Sequence, residues 1–122
     1  MVRLFFALGA LFAGIGVAAG AFGAHGLRDR LSADMLTIFE TGVRYHLIHA
    51  LALLVTAWAT TRWESGLIAV AGWMFVVGIV VFSGSLYLLS LTETRWLGAI
   101  TPIGGVAFLI GWALLAWAAL RG

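Results

Sequence analysis

The chain has 122 residues, 63% of them hydrophobic and only 10% charged, with a mean hydropathy of +1.10. A soluble domain is about half apolar and about a quarter charged, so this composition fits a single domain dissolved in lipid. Seven arginines and five acidic residues leave a formal charge of +2 with no basic run, which gives nucleic-acid binding no support, and the absence of cysteine excludes disulfides, thiolate nucleophiles and Cys-based zinc or iron–sulfur centres.

The first apolar run covers about residues 4–24. Arg3 and the small residues around Ala18 to Ala24 would also suit a secretory leader. The run is long enough to span a hydrocarbon core, which takes about 20 residues, so a retained helix is expected. The next segment, about 32–41, is amphipathic. Ser32 suits an N-cap and Asp34 the positive helix end. Met35, Leu36, Phe39 and Val43 fall on one face, and Thr37, Glu40, Thr41 and Arg44 on the other. This pattern predicts a helix lying in the interface, with Gly42 as the bend into a second span over about 42–60. A third span is expected over about 66–91 and a fourth over about 102–120, with Thr101 as N-cap and Pro102 in the first helical position.

These runs are continuous rather than alternating, which points to helices and not to a β-barrel. The links at 61–65 and 92–96 are short, so consecutive spans are antiparallel neighbours. The expected fold is all-α: an integral membrane bundle of four transmembrane helices, with an interfacial amphipathic helix between the first and second. Arg3, Arg62 and Arg121 fall on one side of it and Arg28, Arg30, Arg44 and Arg95 on the other, a nearly equal count, and the closeness of Arg28 and Arg30 tips the first connection weakly toward the cytoplasm. Gly16, Gly20 and Ala24, and separately Ala10 and Gly14, have the small-xxx-small spacing of close helix contacts. Packing within the chain is the first reading of these pairs, and self-association into a homo-oligomer the alternative. The spacing of Gly14, Gly16 and Gly20 misses the dinucleotide fingerprint and follows no strand.

Polar residues collect at one end. His25 lies where the first span ends, His46 and His49 where the second begins, and Ser83, Ser85, Tyr87 and Ser90 in the matching half of the third. Glu40 and Arg44 are four apart and can pair, and His46 and His49 are three apart and could face one ligand. His25, Glu40, Arg44, His46, His49, Ser83 and Tyr87 are therefore the candidate ligand-binding residues. A metal ion on the imidazoles, or a lipid head group or quinone-like ligand at Arg44 and the histidines, would use them. The plainer reading has the same groups bonding to neighbouring helices. No catalytic, cofactor-binding or metal-binding residue is assigned. Ser83-Gly84-Ser85 is not a nucleophile elbow, a haem has no specific signal in His25 and His49, and no carboxylate lies mid-membrane for a proton-driven transporter.

Four ordered segments carry a family resemblance. They are Gly20-Ala21-Phe22-Gly23-Ala24-His25-Gly26-Leu27, then Tyr45-His46-Leu47-Ile48-His49-Ala50-Leu51, then Phe82-Ser83-Gly84-Ser85-Leu86-Tyr87-Leu88-Leu89, and Leu97-Gly98-Ala99-Ile100-Thr101-Pro102-Ile103-Gly104-Gly105. The chain resembles the YgdD/YwdK-like family of small membrane proteins, domain of unknown function 423. The resemblance implies four membrane helices in the bacterial inner membrane, and supplies no activity, substrate or catalytic residue.

The expected function is a non-enzymatic scaffold or accessory membrane protein. Its partners would be the lipid bilayer, unidentified proteins and a second copy of itself, without nucleic acid. The alternatives are ligand binding at the His-rich end and a small transporter or oligomeric channel. A scaffold predicts a filled apolar core, whereas a ligand site predicts a cavity opening toward His25, His49 and Tyr87.

Overall fold

In hydrocarbon every backbone polar group must find its partner inside the chain. In the computed structural model, which describes residues 1–121, helices alone meet that demand. Helix α1 is Val2–His25 and α2 is Ala33–Arg62. The third span, Gly66–Thr92, is built from α3 (Gly66–Gly78), a π-helical turn (Ile79–Ser83) and α4 (Gly84–Thr92). A 3-10 turn, Arg95–Ala99, leads into α5, Thr101–Arg121. Among the described residues four helical stretches are thus long and apolar enough to cross a membrane.

The separate interfacial helix does not form. Ser32 caps a helix as expected, its Oγ accepting from Met35 N at 3.2 Å, but that helix runs on through Gly42 for 30 residues. Gly42 is not a bend, because its missing side chain serves packing: a Cβ there would meet the Tyr87 ring at 2.9 Å. Thirty residues reach about 45 Å, against a hydrocarbon core of about 30 Å. The amphipathic turns are therefore an extension of the second span beyond the apolar slab. Their inner face is buried at Met35 and Phe39, and their outer face carries exposed Thr37 and Glu40.

Two smaller differences concern the later spans. The π turn falls where the backbone of Phe82 meets Gly104 of α5 and where Ser83 reaches α2. Such a turn inserts one residue and shifts the register of the helix beyond it, and an apolar run carries no signal for it. Thr101 lies inside α5 rather than ahead of it, with its hydroxyl 2.6 Å from that of Ser85 instead of capping the helix.

The middle of the bundle is α2 against the third span. Helix α1 packs on the outside of α2, and α5 on the outside of α3. Phe5, Leu53, Phe75, Ile79 and Phe108 form the central apolar cluster. It closes because aromatic rings lie in slots left by glycines on the facing helix. Phe5 lies on Gly72, Phe108 on Gly78, Phe75 on Gly111 and Phe39 on Gly23. An added Cβ would come within 2.6 Å of Phe75 at Gly111 and within 2.8 Å of Phe39 at Gly23. Gly9, Gly16 and Gly20 instead make room for the aliphatic side chains of Leu54, Leu47 and Val43 where α1 packs on α2, so Gly16 and Gly20 serve packing within the chain. Gly14 faces open space.

Overpacking of this kind costs about 1–3 kcal/mol per site. Gly78→Ala and Gly111→Ala should each lower the unfolding midpoint in detergent by that measure. Gly14→Ala should hold or raise it, since alanine favours a helix over glycine by up to about 1 kcal/mol. Equal midpoints across the three variants would remove the slot as the basis of packing.

Candidate functional site

The polar half of the bundle is organised by two imidazoles that α2 presents to different neighbours. His46 and His49 are 3% and 4% exposed. The His46 Nε2 lies 2.8 Å from the carbonyl oxygen of Phe12 on α1, and its Nδ1 lies 2.8 Å from the Tyr87 hydroxyl on α4. A carbonyl only accepts, so Nε2–H donates to Phe12, and the neutral ring accepts from Tyr87 at Nδ1. Gly16 makes this possible. It stands one turn beyond Phe12 and, lacking a side chain, leaves room for the His46 ring edge, 3.3 Å from where its Cβ would be. A helix carbonyl keeps a second lone pair after its intrahelical bond, and His46 takes it.

His49 has the opposite tautomer. Its Nδ1–H donates to the Tyr45 carbonyl one turn back at 2.8 Å. Its Nε2 therefore accepts from the indole Nε1–H of Trp112 on α5 at 3.0 Å, and indole is a donor only. Phe108, one turn before Trp112, stacks on the His49 ring with centroids 3.5 Å apart and planes within 9°. Thus His46 ties α2 to α1 and α4, while His49 ties α2 to α5.

Hydroxyls complete the arrangement. Ser83 Oγ donates to the Gly42 carbonyl at 2.7 Å, directly below the contact of Gly42 with Tyr87. Ser85 Oγ donates to Phe82 O at 2.9 Å and meets Thr101 Oγ1, linking α4 to α5. Ser90 and Thr56 return their protons to carbonyls of their own helices. Among the described residues every buried side-chain nitrogen and oxygen has a hydrogen-bond partner.

The sequence-predicted residues therefore divide. His46, Ser83 and Tyr87 come together around Gly42, with His49 one turn deeper facing α5. His25 at the end of α1, and Glu40 and Arg44 on the outer side of α2, are exposed and do not join them. The three histidines and Glu40 form no cluster able to hold a metal ion, and no such cluster occurs among the described residues. The spacing of His46 and His49 does not aim them at one ligand, because each ring has both nitrogens committed to a different helix. Sequence reasoning missed Phe12, Phe108 and Trp112. Phe108 and Trp112 are four apart on the fourth run, a usable signal for a shared face; a backbone acceptor such as Phe12 leaves none.

Among the described residues two surface cavities stand out, and neither of these is lined by a histidine. One, of about 220 Å³, lies at the polar end between Gly23, Ala24, Arg28, Leu36 and Glu40. The other, of about 310 Å³, is an apolar groove between α2 and α5 at the opposite end, walled by Trp58, Trp63, Trp112 and Leu115.

Comparison with known proteins gives one consistent answer. A family described as a protein of unknown function, DUF423, matches residues 19–105. The chain is 47% identical over 121 residues to the UPF0382 membrane protein YwdK of Bacillus subtilis, covering 98% of each chain. It is 48% identical over 126 residues to a UPF0382 membrane protein of Staphylococcus epidermidis, with 98% of each covered, and 46% identical over 120 residues to one from Staphylococcus saprophyticus, with 93% of this chain and 94% of that one covered. No solved structure matches.

Removing one partner of a buried bond leaves the other unsatisfied, at about 1–3 kcal/mol. His46→Ala strands the Tyr87 hydroxyl and should destabilise the bundle by that amount, and Tyr87→Phe in the same background should recover part of it. A thermal-unfolding cycle of the two single variants and the double variant measures the coupling; additive losses would mean that the two side chains do not work together.

Proposed function

We propose that this chain, which belongs to the DUF423 family of small membrane proteins, works as a non-enzymatic scaffold or accessory subunit. The observation that carries the reading is the closure of the polar half: the buried imidazoles, hydroxyls and phenol spend their hydrogen bonds on one another and on helix carbonyls. A ligand site in an apolar bundle keeps some polar groups free to fix its occupant. Here the groups that would do so hold helices together instead.

The apolar half favours the same reading over a conduit. Between the central helices it is filled by Phe5, Leu53, Ala57 and Phe75, all at or below 1% exposure, and conduction through one copy needs a polar or wetted path. What the bundle offers to others is its outside. Helix α1 presents Leu11, Ile15 and Val17 outward, and α5 presents Ile103, Val106 and Leu109, so both outer helices are available to neighbouring membrane proteins. The names of the relatives state no reaction and say only that they are membrane proteins.

Two measurements test the proposal. Native mass spectrometry of the gently solubilised protein should show no stoichiometric metal or quinone mass. A discrete non-lipid mass that disappears in the His25→Ala/His46→Ala/His49→Ala variant would overturn it. Photo-crosslinkers placed in cells at Leu11, Ile15 and Leu109 should trap one protein partner from one face; adducts to lipid alone from every position would remove the accessory role.

A further inference from the structure

The cavity at the polar end has charged walls. It lies between the last turn of α1, at Gly23 and Ala24, and the early turns of α2, at Leu36 and Glu40, with Arg28 of the connection beside it. The small residues on the α1 side leave about 220 Å³ open there. The frame around it is fixed. Gly23 takes the Phe39 ring, and Met35 and Phe39 are buried. The connection is folded, because Arg30 N and Leu31 N both donate to the Leu27 carbonyl at 3.0 Å and the Leu27 side chain is buried. Arg28 follows Leu27 directly, so that turn sets its place.

The way α1 ends adds an acceptor. In a continuing α-helix the amide of Leu27 would bond the carbonyl of Gly23. Here the amides of Gly26 and Leu27 both go to Phe22 O, at 2.7 and 3.1 Å. The Gly23 carbonyl is left without that partner, at a helix end that carries about half a negative charge. Glu40 adds a full negative charge on the facing helix, and Arg28 a positive one.

We infer that this cavity binds a phosphodiester carrying a primary ammonium, the head group of phosphatidylethanolamine. Its ammonium lies between Glu40 and the end of α1, and its phosphate on Arg28. A cation alone would face Arg28, and an anion alone would face Glu40 and the helix end. A zwitterion answers both. The acceptors also choose among amines, since a carbonyl and a carboxylate reward N–H donors, which a primary ammonium has and a trimethylammonium lacks. Pairing of Arg28 with Glu40 across the cavity gains little between exposed side chains and leaves the Gly23 carbonyl without a donor. Depth names the source. Helix α2 runs about 15 Å past the hydrocarbon, and Glu40 stands seven residues, about 10 Å, from its first residue. The cavity is therefore level with the lipid head groups. The inference stands apart from the accessory role, because it uses neither the buried imidazoles nor the outer faces of α1 and α5.

Native mass spectra of the full-length protein test this, with equimolar phosphatidylethanolamine, phosphatidylcholine and phosphatidylglycerol of matched chains. The ethanolamine lipid should give the dominant adduct. A hydrogen bond to a charged group is worth about a tenfold change in affinity, so Glu40→Gln should cut the ethanolamine-to-choline ratio by about tenfold. Arg28→Gln should weaken both adducts and leave their ratio in place, since both lipids carry the phosphate. Glu93→Gln removes a carboxylate at the same end but outside the cavity, and should change neither. Arg28 and Glu40 are exposed, so both variants should keep the unfolding midpoint of the parent. Equal adducts of the ethanolamine and choline lipids, or a ratio untouched by Glu40→Gln, would overturn the inference and leave a surface ion pair. Dominance of phosphatidylglycerol would overturn it as well. Soluble glycerophosphoethanolamine separates the two sources of this chemistry. A lipid adduct that persists against an equal concentration of it supports the bilayer as the source, and displacement would overturn that source.

Discussion

Helices in a membrane gain little from hiding apolar surface, because lipid is as apolar as they are. What holds this bundle is the fit of aromatic rings into places where a facing helix has no side chain. Phe5, Phe39, Phe75, Phe108 and Tyr87 each lie on a glycine of another helix. Each slot trades the helix preference of a larger residue for dispersion contact over a whole ring face. The slots run along the full length of the molecule, from Gly72 near one end of the third span to Gly23 near the end of α1, so they set how closely all the helices approach. The hydrogen bonds depend on that approach. Ser83 reaches the carbonyl of Gly42, and His46 reaches that of Phe12, because a glycine opens the way in each case.

The two histidines divide the work of orientation. A slot fixes distance but tolerates some sliding along the helix axis, whereas a hydrogen bond fixes height. His46 sets α1 and α4 against α2, and His49 sets α5. Their tautomers are opposite, and each is dictated by the carbonyl on one side of the ring. Polar residues in a membrane interior can mark a substrate path. Here they act as pins, in an interior with no buried side-chain polar atom left over among the described residues.

Much of this is legible in the sequence. The four spans follow from apolar runs of the right length, and the polar half follows from where histidines and serines gather. The expectation of a separate interfacial helix fails on one residue: Gly42 reads equally as a hinge and as a contact, and only the position of Tyr87 decides between them. Grouping His25 with the other histidines rests on depth alone, and depth says nothing about the side of a helix that a residue takes. The acceptor of His46 is a backbone carbonyl, which has no letter in the sequence. The π turn is equally hidden, since Ile79-Val80-Val81-Phe82 suits either helix. The Trp112 bond has a trace, because an indole N–H at membrane depth needs an acceptor and His49 offers one at matching depth.

The His49–Trp112 bond also bears on how the chain assembles. Synthesis delivers α2 well before α5, so a ribosome-bound chain with three spans in the membrane holds His49 with one nitrogen unsatisfied and the Gly78 slot empty. Phe108 and Trp112 answer both needs at once, being one turn apart on the last span. A truncated chain, or one whose final span inserts with the wrong face inward, is left with a polar group bare in lipid. The bond is thus made only when the fourth span has arrived in register.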